Sequence, residues 1–151
     1  INKAKEKPKD SVLSGIPKEL PALQRSLKVI EKVSKVGFQW ENLQGPLEKV
    51  KEELGEFLQE VEKIDATKEI SLDQREKIEA ELGDLIFTLS NVSYFLSINP
   101  EDALRKMLNR FEKRFRFVED QAKAQGKQLK SMTLEEMDEY WNEAKRQKIG
   151  M

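Results

Sequence analysis

At 151 residues the chain is the size of one ordinary domain, and 27 basic against 28 acidic side chains leave a net charge of −1. That balance argues against a nonspecific DNA or membrane binder, whose long-range attraction needs an excess of basic charge. With no Cys and no His, disulfides, thiolate metal sites, Cys nucleophiles and Ser-His triads are excluded, and a catalytic metal must take oxygen ligands, which points to Mg²⁺, Mn²⁺ or Ca²⁺.

Residues 1–16, charged and then rich in Ser and Gly, read as a flexible lead-in to a domain over 17–148. Their Lys-rich start has no apolar stretch of the signal-peptide kind, and no run in the chain approaches the ~20 apolar residues of a membrane span. A cytoplasmic location is the resulting expectation. The first residue is not Met, which fits a piece of a longer chain.

From there helix periodicity dominates. A first helix is expected from about Leu20 to Val36, with Leu23, Leu27, Ile30 and Val33 on one face and Gly37 as the stop. Phe38 and Trp40 fall in a connection. A second runs from Pro46 to about Ala66, its stripe made by Leu47, Val50, Leu54, Phe57, Val61 and Ile64. A third covers about Leu72 to Ile98, opened by a Ser71–Gln74 capping box. It carries one stripe of Ile78, Leu82, Leu85, Leu89, Val92 and Leu96 and another of Ala80, Gly83, Phe87 and Tyr94, so it is either central or at an interface. Asn99-Pro100-Glu101-Asp102 starts a fourth, ending near Gly126, and Thr133 with Glu136 opens a short fifth through Trp141. Short connections between long amphipathic helices predict an all-α antiparallel bundle of four to five helices.

Two acidic elements stand out, Glu52-Glu53-Leu54-Gly55-Glu56 and Glu81-Leu82-Gly83-Asp84. In each, carboxylates three residues apart share one side of a helix. A wheel at about 100° per residue puts Glu53 and Glu56 beside the buried face of the second helix and Glu52 toward solvent, with Glu81 and Asp84 beside the buried face of the third. Packed side by side, the two helices would pool four carboxylates, and such a cluster is costly without a cation. Lys49, one turn before Glu53, and Arg110 and Arg114, one turn apart on the fourth helix, could neutralise phosphate. From spacing alone a second reading stands beside this one: charges at these intervals are ordinarily a solvated face with weak ion pairs, and Trp141 is ordinarily core.

These elements resemble the paired motifs of MazG-type nucleoside triphosphate pyrophosphohydrolases, in the all-α NTP pyrophosphatase superfamily. The likeness extends over roughly residues 15–147, through Leu20-Pro21-Ala22-Leu23, Val36-Gly37-Phe38-Gln39-Trp40, Leu82-Gly83-Asp84-Leu85-Ile86-Phe87, Asn109-Arg110-Phe111 with Arg114-Phe115, and Leu134-Glu135-Glu136-Met137 with Trp141, Ala144 and Lys145. It is greatest to the C-terminal catalytic domain of two-domain members. The resemblance implies Mg²⁺, with Mn²⁺ as a substitute, held by Glu53, Glu56, Glu81 and Asp84. It implies triphosphate contacts from Lys49, Arg110 and Arg114 and a base or sugar contact near Trp141, with Asn109 and Lys113 turned away and Glu52 in support. The implied reaction is hydrolysis of ribo- and deoxynucleoside triphosphates of broad base range to monophosphate and pyrophosphate, a nucleotide-pool house-cleaning activity, with no nucleic-acid polymer or membrane as partner. Relatives acting on dUTP, dCTP or phosphoribosyl-ATP offer a narrower alternative, and a non-catalytic dimerisation module is a third. The resemblance also implies a homodimer, for which the stripe of Ala80, Gly83, Phe87 and Tyr94 is the candidate face, the other reading being that it packs on the first or last helix of the same chain.

Overall fold

A computed structural model describes residues 10–151; the part of the expected lead-in before Asp10 lies outside the described residues. Among the described residues there are five α-helices and no strand: α1 (Ala22–Lys35), α2 (Gln44–Glu62), α3 (Leu72–Phe95), α4 (Pro100–Ala124) and α5 (Leu134–Arg146), with a short 3₁₀ turn at Leu129–Ser131. No helix among the described residues is long and apolar enough to cross a membrane. The chain divides into two compact units, one ending at Glu101 and the other running Asp102–Met151.

The helix ends follow local chemistry. Ser71 Oγ accepts from the Gln74 amide and Gln74 reaches back to the Ser71 amide, closing the expected capping box; Thr133 and Glu136 do the same for α5. Asn99 Oδ1 accepts from the Glu101 amide at 2.9 Å at the start of α4. At Gly37, φ +89°, the Phe38 amide bonds back to Val33 O and the Gly37 amide to Ser34 O, a left-handed stop that a residue without Cβ adopts freely. The α2 start differs from expectation. Helix geometry begins two residues earlier, at Gln44, and Pro46 is the third residue of the first turn, where it is buried.

In the first unit α3 is the central helix, packing on both α2 and α1. Ser26 of α1 and Ser90 of α3, small and part-buried to buried, meet with their hydroxyls 3.0 Å apart, close to the buried Ile30. Gln74 Nε2 at the start of α3 donates to Lys63 O at the end of α2 (3.4 Å), so the two helices form an antiparallel hairpin. α2 is rotated from the expected stripe. Leu47 and Leu54 are 40% and 42% exposed, while the positions turned inward include Pro46 and Glu53. Likewise Leu82 and Leu89 of the expected first stripe of α3 are exposed, as is Phe87 of the second.

The second unit buries Val118 and Ala122 of α4, Met132 and Ala144. The Phe111 ring stacks near Phe115, centroids 6.1 Å apart, and meets the Trp141 indole at 4.9 Å. Lys127 Nζ lies 3.1 Å from Glu136 Oε2, tying the end of α4 to the cap of α5. The Lys127 ammonium holds the Glu136 carboxyl below its ordinary range. A depressed carboxyl stabilises the fold above its unfolded pKa, and that contribution is lost as pH falls through the lowered value.

Thr133→Ala should cost about 1 kcal/mol by removing the acceptor for the Glu136 amide, read as a lower urea midpoint with unchanged slope. Glu136→Gln keeps a capping side chain and loses the ion pair. Its deficit against the parent should be present at neutral pH and shrink as the pH drops through the acid range.

Candidate metal and nucleotide site

The α2–α3 hairpin sets the register of the acids. Glu53 lies nine residues before α2 ends and Glu81 nine after α3 begins, so each stands about 14 Å along its helix from the hairpin's turn. In an antiparallel pair this places them at one level, and Asp84, one turn further along α3, follows Glu81. One carboxylate oxygen from each of Glu53, Glu81 and Asp84 lies within 4.8 Å of the others; the same holds for Glu52, Glu53 and Glu56. The four expected acids, joined by Glu52, therefore form two overlapping triads that share Glu53.

Glu53 is the pivot, only 7% exposed. Its Oε1 meets Lys49 Nζ at 3.0 Å, and Lys49 also reaches Glu52 at 3.4 Å. Glu53 Oε2 and Glu81 Oε2 are buried with no hydrogen-bond partner among the described residues. Two carboxylates about 5 Å apart repel by roughly 3 kcal/mol at an effective dielectric constant near 20. One half-exposed ammonium cannot balance four such groups. The crowding registers on Glu56, whose carboxyl is pushed up by the neighbouring Glu53 charge, with burial and Glu81 adding to it. Glu53 in turn raises the Lys49 ammonium.

A hard divalent cation fits this donor set. It takes oxygen ligands and removes both the repulsion and the orphaned lone pairs. One oxygen from each acid of a triad already lies within 4.8 Å of the other two, so side-chain adjustment could bring the three onto one ion. The glycine within each acidic element, Gly55 and Gly83, has nothing within 4 Å of where a Cβ would sit. Packing inside the chain does not account for them.

Arg110, Arg114 and Trp141 belong to the second unit. Arg114 Nε donates to Ile149 O at 3.2 Å, Arg110 Nη2 lies 3.7 Å from Met107 Sδ, and neither guanidinium has a carboxylate partner among the described residues. Trp141 is half-buried against Phe111.

The first unit also holds a cleft of about 550 Å³ that the helix pattern did not reveal. Phe38, Gln39 and Trp40 of the α1–α2 connection, Val33 of α1, Lys49 of α2 and Asn91 of α3 line it. Its sequence signal was weak: a Gln between two aromatic residues in a connection, and polar Thr88 and Asn91 interrupting an apolar helix.

Residues 42–118, just over half the chain, match the MazG nucleotide pyrophosphohydrolase domain. The chain belongs to this family. The nucleoside triphosphate pyrophosphohydrolase of Escherichia coli (strain K12) is 38% identical to this MazG domain over 146 residues, covering 97% of this chain and 53% of the relative. The nucleoside triphosphate pyrophosphohydrolase/pyrophosphatase MazG of Thermotoga maritima is 39% identical over 141 residues, 93% of this chain and 51% of the relative. The uncharacterized protein YabN of Bacillus subtilis is 47% identical over 68 residues, 45% of this chain and 14% of its own. The MazG chain thus spans about half the length of the first two. The matched segment contains both acidic elements, Lys49, Arg110 and Arg114 and stops short of Trp141.

If the carboxylates are a cation site, Mg²⁺ should raise the thermal midpoint of the parent, and Glu81→Gln should abolish that rise. The same substitution removes one of the crowded charges, so the metal-free variant should be at least as stable as the metal-free parent. A variant that is less stable without Mg²⁺ and still gains from it would show that Glu81 is structural.

Proposed function

We propose that this MazG domain hydrolyses nucleoside triphosphates, ribo and deoxy and of broad base range, to the monophosphate and pyrophosphate with Mg²⁺ as cofactor. One observation carries the reading: an almost buried Glu53 shares its surroundings with Glu81 and Asp84 of the adjacent helix, and Glu53 Oε2 and Glu81 Oε2 are buried there with no hydrogen-bond partner among the described residues. Family membership supports the reaction class.

In this reading Glu53, Glu56, Glu81 and Asp84 hold the ion, with Mn²⁺ able to replace it. When bound, it would supply positive charge to the phosphate oxygens and make water a better nucleophile. Glu53, fixed by Lys49 and by burial, keeps the set aligned. A carboxylate of the cluster takes the proton of the attacking water. The new bond forms between that water oxygen and the α-phosphorus, and the bond from the α-phosphorus to the oxygen bridging to the β-phosphorus breaks. Pyrophosphate then leaves with its charge met by cations. Lys49, Arg110 and Arg114 are assigned to that role. The two arginines support the assignment by lacking carboxylate partners among the described residues, and Trp141 is assigned to the nucleoside. The domain itself is taken as residues 17–148, acting in the cytoplasm on the nucleotide pool, without a nucleic-acid polymer or membrane as partner.

A homodimer belongs to the same reading. Leu82, Ile86, Phe87 and Leu89 of α3 and Leu54 and Leu58 of α2 are exposed, an apolar area of the kind that marks an interface. Open space at Gly83 leaves room for close approach by a second helix.

Glu53→Ala and Asp84→Ala should each lower pyrophosphate release at least a hundredfold, about 3 kcal/mol of transition-state stabilisation, with helical circular dichroism intact. Near-parental release from either would remove that residue from the site. A panel of ribo- and deoxynucleotides, analysed for which phosphate bond breaks, separates the broad reading from dUTP-, dCTP- or phosphoribosyl-ATP-type specificity. For the dimer, Gly83→Ala should raise the helix propensity of α3 by about 1 kcal/mol and yet weaken self-association in sedimentation. A monomeric parent at micromolar concentration would overturn it.

A further inference from the structure

After α5 the chain turns back onto α4. The helix ends in a Schellman arrangement, in which the Ile149 amide donates to Ala144 O and the Lys148 amide to Lys145 O, both at 3.0 Å. Lys148 holds the left-handed position, φ 56°, where glycine is the usual occupant. The turn brings Ile149, Gly150 and Met151 against Arg110 and Arg114 of α4.

That path depends on Gly150. Its φ is +84°, and a Cβ there would stand 3.2 Å from Arg110 Cα and 3.3 Å from Arg110 O. The backbone angle and the closeness to α4 both disfavour any side chain. The approach delivers Ile149 O to Arg114, whose Nε donates to it at 3.2 Å.

This contact leaves a particular part of Arg114 for a ligand. A guanidinium carries five N–H donors in one plane. Bonding Nε to a peptide carbonyl fixes the orientation of that plane and spares the terminal nitrogens, the pair that grips two phosphate oxygens at once. Arg114 Nη2 rests on Met151 Sδ at 3.5 Å, and Arg110 Nη2 on Met107 Sδ at 3.7 Å. A thioether is a weak acceptor, so a phosphate oxygen displaces either sulfur readily. Lys106 and Asn109 join Arg110, Gly150 and Met151 around a hollow of about 350 Å³, which gives an oxyanion room beside the Arg110 side chain.

We propose that the turn over residues 147–151 is a positioning element for polyphosphate binding: Gly150 packs against the Arg110 backbone and lets Ile149 O orient the Arg114 guanidinium. The inference rests on the triphosphate role assigned above to the two arginines. An arginine free in solvent gives up its rotamer freedom when it binds, whereas one already held during folding does not.

The test uses the full chain labelled with ¹⁵N, with the Arg114 Nε–H signal identified by its loss in Arg114→Lys. In the parent that proton should exchange slowly with solvent, and inorganic tripolyphosphate with Mg²⁺ should shift the signal. Gly150→Ala should move it to the position of a solvated arginine, weaken tripolyphosphate binding roughly fivefold to tenfold and lower kcat/KM for the triphosphates by a similar factor. Lys148→Gly, which suits the left-handed angle, should keep both the signal and the affinity and raise the thermal midpoint. A Gly150→Ala chain with a lower midpoint but parental tripolyphosphate affinity would make the turn purely structural and overturn the proposal. An Arg114 signal that Gly150→Ala leaves in place would overturn it too. Tripolyphosphate shifts and their loss in Gly150→Ala, in a chain that releases no pyrophosphate from nucleotides, would keep the positioning element and sink the hydrolytic reading. Pyrophosphate release with an Arg114 signal indifferent to tripolyphosphate would do the reverse.

Discussion

The feature on which the rest depends is a carboxylate placed where a hydrophobic side chain would ordinarily be. Glu53 occupies the inward face of α2, 7% exposed, at the level where α3 presents Glu81 and then Asp84. Taking carboxylates out of water is worth several kcal/mol of lost solvation per ion, and their mutual repulsion adds to it. Lys49 offsets part of this from one side. The remaining imbalance is one that a doubly charged cation would relieve. In the reading proposed here, the metal-free fold tolerates a local instability that binding relieves.

The second constraint is how little each unit buries. Among the described residues the buried apolar side chains are few and mostly small or medium: Ile30 and Pro46 in the first unit, and Val118, Ala122, Met132 and Ala144 in the second. Long stretches of the amphipathic stripes remain in contact with solvent, among them Leu54, Leu58, Leu82, Leu89, Leu104 and Leu108. At about 25 cal/mol per Å² of apolar surface, that area is a substantial reserve of association energy. In the homodimer proposed above, this area would be covered by a second copy.

Helix identity was legible because it is set locally. The Ser71–Gln74 and Thr133–Glu136 boxes, the Asn99-Pro100 start and the Gly37 stop act over three or four residues, and each appears where the sequence placed it. Helix rotation was less legible. The wheel put Leu47 and Leu54 within an apolar stripe centred near Val50 and Val61, with Glu53 at its edge. α2 is turned so that Pro46 and Glu53 face inward. An apolar stripe wide enough for two partners does not say which edge meets the neighbouring helix.

The sequence by itself determined the oxygen-only metal chemistry, through the absence of His and Cys, together with the helical class and the identity of the clustered acids, which local spacing places on two helices. Only the tertiary structure decided that Pro46 and Glu53, rather than the leucines, are the buried residues of α2, that the partners of Glu53 are Glu81 and Asp84 on one side and Glu52 and Glu56 on the other, and that a cleft walled by Trp40 and Asn91 opens beside them. The reason is range. Periodicity and capping are fixed by neighbours a turn away, whereas the register of two helices and the pairing of Gln39 with Asn91, 52 residues apart, depend on contacts that no short stretch of sequence contains.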